Sequence, residues 1–593
     1  MKRLFALAPL ATTLILGLAG LTGCGGGSSS TSTQTQTPPP PSITSFTAGQ
    51  TTITTGSSAT LTGVFANGTG VITPGNLAAT SGVALTVSPT TTTTYILTVT
   101  PTSGTAVVAT AIVTVASAMV SSVTVDQASS GPAVTNKLLG MNMAVWYDLV
   151  TNQTGIVDAL QAAGITQVRW PGGSTSDQYH WANNSTCGTG YADPNDTFAN
   201  FVNDMAVPAK LDVALTADYG SDPTCTTGGE PIEAAAWVTA ALQDGITPSH
   251  VTVGNEEYGS WEYDLHSTPN DPTIYASAVV GSSGYYQSIK AASPNTLVGV
   301  VVDADDTANG WDNTVMANAM GSYDFVEYHY YPEAPGSESD TFIVQQAAQQ
   351  LTTNINTLKS ELAEWGTPNT PIYVGEIGGA YTNPGKQSWS ITQGLYAGQV
   401  LGEMMNDGVS RLTWWIGFGN CNGTNGNDTT SVYGWQDFGA YNIFSDGSTE
   451  DPTCPGAGPI GTMSPTAVAF QLFSQMDVNG QTVLTANVAG DTTDVRAYAA
   501  TNPGGTAVLL FNDNENLAQP VTITLSGETS SSKVTVTTYD KAIYDLSGSP
   551  TGTPPDPVGT STWAPPTTTN MGAQTLPLTL TLTPWSMNMV IIQ

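Results

Sequence analysis

Between about Leu138 and Met476, short apolar runs alternate with longer helical patterns, and this alternation restricts the fold more than any other feature of the chain. An uninterrupted apolar run of strand length reads as a strand buried on both faces, and a parallel partner needs a helical crossover. The candidate strands are 139–145, 166–170, 211–216, 250–255, 297–302, 324–330, 372–374 and 412–416. Helical patterns lie between them, for example 230–242 and 388–405. Eight such units in about 340 residues predict a (β/α)8 TIM barrel with enlarged loops. The alternative is an open doubly wound sheet, which calls for a G-x-G-x-x-G segment after a strand; none follows one here.

The flanks have a different texture. Residues 43–117 are rich in Thr, Val, Ser and Gly, with short alternating runs separated by turn residues. They predict an N-terminal immunoglobulin-like β-sandwich that acts as a spacer. The barrel domain spans 118–476. Residues 477–593 return to strand-and-turn character at 495–499, 506–511, 521–525, 534–539 and 576–582, and a final apolar run closes the chain. This predicts a C-terminal β-sandwich, with segment 120–125 joining it before the chain enters the barrel.

The N-terminus carries Lys2 and Arg3, an apolar stretch over 4–18 and then Leu21-Thr-Gly-Cys24. The last four residues resemble a bacterial lipoprotein cleavage box. Residues 1–23 then form a signal peptide, and Cys24 is the lipid-modified start of the mature chain. An ordinary secretory signal is the alternative. Residues 24–42 are a low-complexity tether ending in prolines. No other apolar run reaches the roughly 20 residues that span a bilayer. The expectation is export and lipid anchoring to the bacterial cell envelope, at the outer membrane or cell surface. The anchor is the only membrane contact expected. Cys187, Cys225, Cys421 and Cys454 are even in number, and an oxidising compartment favours two disulfides, Cys187–Cys225 and Cys421–Cys454. Free or differently paired thiols are the alternative. The cysteines lack zinc-site spacing and the four histidines are scattered, so no metal and no organic cofactor are expected. A formal charge of −34 disfavours nucleic acid and acidic polymers as partners; a neutral polysaccharide or oligosaccharide suits the surface.

Two glutamates stand at strand ends: Glu256 in Val253-Gly-Asn-Glu256 and Glu376 in Tyr373-Val-Gly-Glu376. Counting the units puts Glu256 at the end of the fourth strand and Glu376 at the end of the seventh, on the face where barrels gather reactive groups. A carboxylate pair is the minimum apparatus for cleaving a glycosidic bond, and its separation sets retention or inversion. Sequence spacing leaves that separation open.

These residues resemble the retaining glycoside hydrolases of clan A, and more closely the family 51 α-L-arabinofuranosidase group. The resemblance rests on Arg169-Trp-Pro-Gly-Gly173, Gly254-Asn-Glu-Glu-Tyr-Gly-Ser-Trp261, His329-Tyr-Tyr331 and Glu376. It implies that Glu256 is the general acid/base and Glu376 the nucleophile. It also implies that Asn255 binds the hydroxyl beside the anomeric carbon, and that His329 and Tyr331 belong to the site. Arg169 would keep Glu376 ionised while Glu256 stays protonated, and Trp415 would form a floor under the sugar. Departures concern the sugar: Gly140-Met-Asn-Met143 lacks the family's arabinose-gripping glutamate, leaving Asn142 to bind a hydroxyl, and Ile377-Gly-Gly379 replaces the tryptophan usual after the nucleophile.

Glu257 is the closest competitor to Glu256. Trp261, His266, Trp414 and Trp415 stay open between sugar contact and core, and Asp303-Ala-Asp-Asp306 reads as a solvated acidic loop. The leading reading is a retaining glycosidase, α-L-arabinofuranosidase-like. Its rivals are an endo-acting β-glucanase or xylanase on the same barrel, a non-catalytic glycan-binding lipoprotein, and an adhesin working through its β-modules.

Overall fold

The computed structural model describes residues 39–54, 57–116, 120–147, 153–304, 310–382, 385–419, 429, 431–434, 441–446, 459–476, 480–527, 531–548 and 564–593. Cys24, Cys421, Cys454, the signal peptide and most of the tether lie outside the described residues. The chain divides into two compact units.

The first unit has two sheets. Strands Ser42–Ala48, Ala59–Ala66 and Ala84–Val87 make one; Thr52–Thr54, Val107–Ala116, Thr93–Thr100, Thr69–Thr73 and Leu77–Ala79 make the other. Alternation decides what is buried: Leu61 in the first sheet and Tyr95, Leu97 and Val99 in the second are inside, while Ile96 and Thr98 between them are more exposed. A Cβ at Gly63 would come 2.7 Å from Leu97 of the other sheet, so the two inner faces meet.

The second unit contains the barrel. Its strands are β1 (Gly140–Asn142), β2 (Gln167–Trp170), β3 (Asp212–Ala217), β4 (His250–Val253), β5 (Leu297–Val302), β6 (Phe325–Tyr330), β7 (Ile372–Ile377) and β8 (Arg411–Leu412). They are hydrogen-bonded in that order, each parallel to the next. Met141 bridges to Trp414, which closes β8 onto β1. All eight predicted strands are present, and closure rules out the open sheet. Most strand positions are buried and apolar, as two covered faces require.

The expected C-terminal sandwich is a continuous nine-stranded mixed sheet. Ser121–Asp126 enters it between Val483–Ala489 and Gln519–Leu525, so the segment ahead of the barrel belongs to the sheet behind it. Strands from both halves of the sheet share one apolar cluster, including Val123, Val508, Ile523 and Val590. The sheet also packs on barrel helix Ile391–Asp407. That helix carries Gly394, Gly398 and Gly402 at four-residue spacing, which places them on one face. A Cβ at Gly398 would meet the Phe511 ring at 2.9 Å, and one at Gly402 would collide with Tyr498. Small residues there let the helix and sheet approach closely.

Candidate active site

The polar residues that interrupt the buried strands converge at one end of the barrel. Arg169 on β2 is fully buried. Its Nη1 donates to Glu376 Oε1 at 3.0 Å and to Asn142 Oδ1 at 3.1 Å, and its Nη2 donates to Asn255 Oδ1 at 2.8 Å. Its Nε forms an ion pair with Glu327 Oε1 at 2.8 Å. Tyr331 donates its hydroxyl to Glu376 Oε2 at 2.7 Å. Glu376 at the end of β7 is thus held by a guanidinium and a phenol.

Glu256 comes at the turn after β4, where Gly254 and Glu256 have φ of +74° and +37°. A glutamate in the left-handed region costs on the order of 1–3 kcal/mol, and such strain clusters at functional sites. The surroundings fix the turn: Asn255 N–H donates to Asp177 Oδ2 at 3.0 Å, and Asn255 Nδ2 donates to Glu262 Oε1 at 3.0 Å. Glu256 is half-buried; His329 Nδ1 lies 2.9 Å from its Oε1, and Trp261 Nε1 donates to its Oε2 at 2.9 Å. Glu257 points elsewhere and is fully buried, close to Asp177 and Glu262. Carboxylate oxygens of Glu256 and Glu376 and a nitrogen of His329 all lie within 4.8 Å of one another.

His329 is the hinge of the electrostatics. Its Nε2 is 3.1 Å from Glu327 Oε1, and its Nδ1 is 3.8 Å from Glu376 Oε2. Burial disfavours the imidazolium, but Glu376, Glu256 and Glu327 outweigh it and push the pKa up to about 10. Charged His329 and the Trp261 N–H in turn hold Glu256 below the ordinary glutamate value against its burial. Glu376 is raised, by burial first and by the charge of Glu256, against the pull of His329, Arg169 and Tyr331. Glu327 is lowered despite burial by Arg169 and His329.

These positions correct several expectations. Asn142 is fully buried, and its amide donates to the carbonyls of Gly375 at 2.9 Å and Thr413 at 3.2 Å while its oxygen accepts from Arg169. It ties β1 to β7 and to the segment just after β8 and is not presented to a hydroxyl. Arg169 contacts Glu376 as expected, but it and His329 are engaged by carboxylates rather than open to a sugar, and Asn255 is 2 % exposed with both ends of its amide engaged. The pKa shifts run opposite to the directions expected: Glu376 is raised and Glu256 lowered. Burial outweighs the pull of His329, Arg169 and Tyr331 on Glu376, whereas His329 and Trp261 overcome the burial of Glu256. Trp414 is core, and His266 stacks on Tyr219 at 4.3 Å. Trp415 is half-buried and lies over the Pro171-Gly-Gly173 turn, where a Cβ at Gly173 would come 2.5 Å from its ring. That contact explains the paired glycines after Arg169.

Sequence reading missed Glu327, Glu262 and Asp177. Glu327 left a signal: a charged residue inside an apolar strand, two positions before His329 and therefore on the same face. A bulge between β6 and β7 then sets His329 opposite Glu376. Glu256, His329 and Glu376 are close enough to ligate one cation, but His329 already directs both ring nitrogens at carboxylates and is held charged. That donor set suits proton exchange. The expected Cys187–Cys225 disulfide is present, linking the loops after β2 and β3.

No protein-family model and no curated protein matches the chain. Solved structures do. The α-L-arabinofuranosidase from Thermotoga maritima superposes with a TM-score of 0.60 at 15% identity, over 79% of this chain and 99% of that one. The GH51 arabinofuranosidase from Xanthomonas axonopodis pv. citri gives 0.60 at 17%, over 80% and 100%. A family 44 xyloglucanase from Paenibacillus polymyxa gives 0.55 at 12%, over 80% and 100%. What they share with this chain is the fold. The match extends over four-fifths of the chain, so it takes in more than the barrel.

Proposed function

We propose that this chain is a retaining glycoside hydrolase acting on neutral polysaccharide or oligosaccharide, exported and tethered through a lipid on Cys24, with an immunoglobulin-like spacer before the barrel. One observation carries the reaction class: two carboxylates from the ends of β4 and β7 bring oxygens within 4.8 Å, in a cage that includes the Arg169 guanidinium, the His329 imidazole and the Tyr331 phenol. Retaining pairs stand about 5–5.5 Å apart and inverting pairs about 6.5–9.5 Å. Glu376 attacks the anomeric carbon and forms a glycosyl ester while Glu256 gives its proton to the leaving oxygen. Glu256 then takes a proton from the water that attacks the ester. The first step needs the proton on Glu256 and an ionised Glu376. His329 Nδ1, 2.9 Å from Glu256 and 3.8 Å from Glu376, stands against both carboxylates.

The fold shared with arabinofuranosidases supports an α-L-arabinofuranosidase-like activity. A second reading, an endo-acting β-glucanase or xylanase, is supported by the absence of a sugar-gripping glutamate after β1, by the burial of Asn142 there, and by the fold shared with the xyloglucanase. A panel of aryl glycosides and neutral polysaccharides separates the two. In that panel Glu376→Ala loses essentially all hydrolysis on every substrate. Glu256→Ala keeps turnover on sugars with a good leaving group, and azide restores more. Full activity of Glu256→Ala on natural glycan overturns the acid/base assignment. A parent that turns over nothing, with glycan binding unchanged in Glu376→Gln, favours the lectin reading instead.

A further inference from the structure

We propose that Trp261 is a substrate-contacting residue, an indole platform for the sugar ring on the leaving-group side of the scissile bond. The inference rests on Glu256 being the acid/base. Trp261 is 65% exposed, the one tryptophan among the described residues that lies open to solvent. An isolated exposed apolar side chain is ordinary in itself. This one is distinguished by what fixes it. Its Nε1 donates to Glu256 Oε2 at 2.9 Å, and Tyr258 meets it edge-on at 6.2 Å. A Cβ at Gly259 would collide with Cδ2, Cε2 and Cζ2 of the indole together, so the Gly259 backbone lies against one ring face. Any larger residue there would displace the ring. The indole is therefore immobilised on one face and left open on the other.

The two oxygens of Glu256 divide the site. Oε1 faces His329, which also approaches Glu376, and Oε2 faces Trp261. The leaving group departs on the side of the acid, away from the nucleophile. Trp261 thus borders the leaving group and not the sugar attacked by Glu376. The open face of a fixed indole receives the apolar C–H face of a sugar ring, and aromatic surfaces are the usual walls of such subsites. The substrate class follows: the leaving group is itself a sugar ring of a neutral glycan, not a small alcohol. The indole N–H adds a second effect, because donation to Glu256 stabilises its ionised form and holds its pKa down.

The experiment uses the full-length protein and two probes sharing one glycone: a neutral oligosaccharide turned over by the parent, and the glycosyl fluoride. Fluoride leaves without a ring to stack and without an acid. In Trp261→Ala the ratio of kcat/KM on oligosaccharide to that on fluoride drops at least tenfold, with KM for the oligosaccharide raised. Trp261→Phe keeps a ring but no N–H: it retains most of that ratio, and the basic limb of its pH profile moves to higher pH as Glu256 loses a donor. An unchanged ratio in Trp261→Ala overturns the platform while leaving the glycosidase reading intact. So does an equal loss on both probes, which marks a purely structural role. A parent inactive on fluoride and on every glycan overturns both readings together.

Discussion

Arg169 spreads one guanidinium over Glu376, Glu327, Asn142 and Asn255, and this sharing defines the site at the scale of single residues. Burial works against its charge, but two carboxylates keep it protonated. Lysine offers a point charge in place of a planar fork and cannot reach all four partners. Arg169→Lys is therefore expected to fold and to lose about 10²-fold in kcat through a misplaced Glu376. Arg169→Ala leaves two buried carboxylates without their cation and costs about 3–5 kcal/mol of stability. Chemical denaturation and steady-state kinetics on the pair check both; a lysine variant with parental kcat would refute the positioning role. The motif residues were legible because each lies where a strand ends. Their partners were not: Arg169 and Glu327 are far apart in the chain, and nothing local in either announces the other.

At the scale of elements, eight strands were readable because strands buried on both faces leave uninterrupted apolar runs, as in Leu297–Val302. The edge strand Thr567–Thr575 was missed because its residues are mostly exposed and carry no apolar alternation. The loops above the barrel follow another logic. Cys187 and Cys225 are 38 positions apart, and their bond joins the loops after β2 and β3. Cross-linking a loop of that size stabilises by about 4 kcal/mol through the unfolded chain. Reduction, or Cys187→Ser with Cys225→Ser, is expected to lower the melting temperature accordingly. An unchanged transition under reductant would show that the bond contributes nothing.

Across the whole molecule, buried acids set the pH response. Burial above all raises Asp177 to about 7 and Glu333 to about 8, and pushes Glu257, Glu262 and Asp218 well above ordinary values. Unfolded, such groups ionise near pH ~4, so between ~4 and their folded pKa the native state holds more protons and stability falls as pH rises. His329 adds to this slope: its contribution is complete below ~6.5 and lost as pH climbs toward about 10. A formal charge of −34 adds self-repulsion in the same range. On the acid side, Asp212 is pulled to about 2 against burial by Arg411 and Lys137, so its contribution is lost as pH falls through that value. Maximum stability is expected near pH ~4–5. Calorimetry at pH 4.5, 6 and 8 checks it, and a melting temperature that climbs across that series contradicts it. The amino-acid sequence by itself determined the repeated strand–helix units, the barrel they close into, and the two glutamates at strand ends, because periodicity and strand-end position are local properties. Only the tertiary structure decided that burial raises Glu376 while His329 holds Glu256 down, that Asn142 serves the barrel rather than a sugar, and that Trp261 stands open beside the acid. Those outcomes depend on burial and on distances between residues remote in the chain, and electrostatic energies follow distance and dielectric rather than order along the backbone.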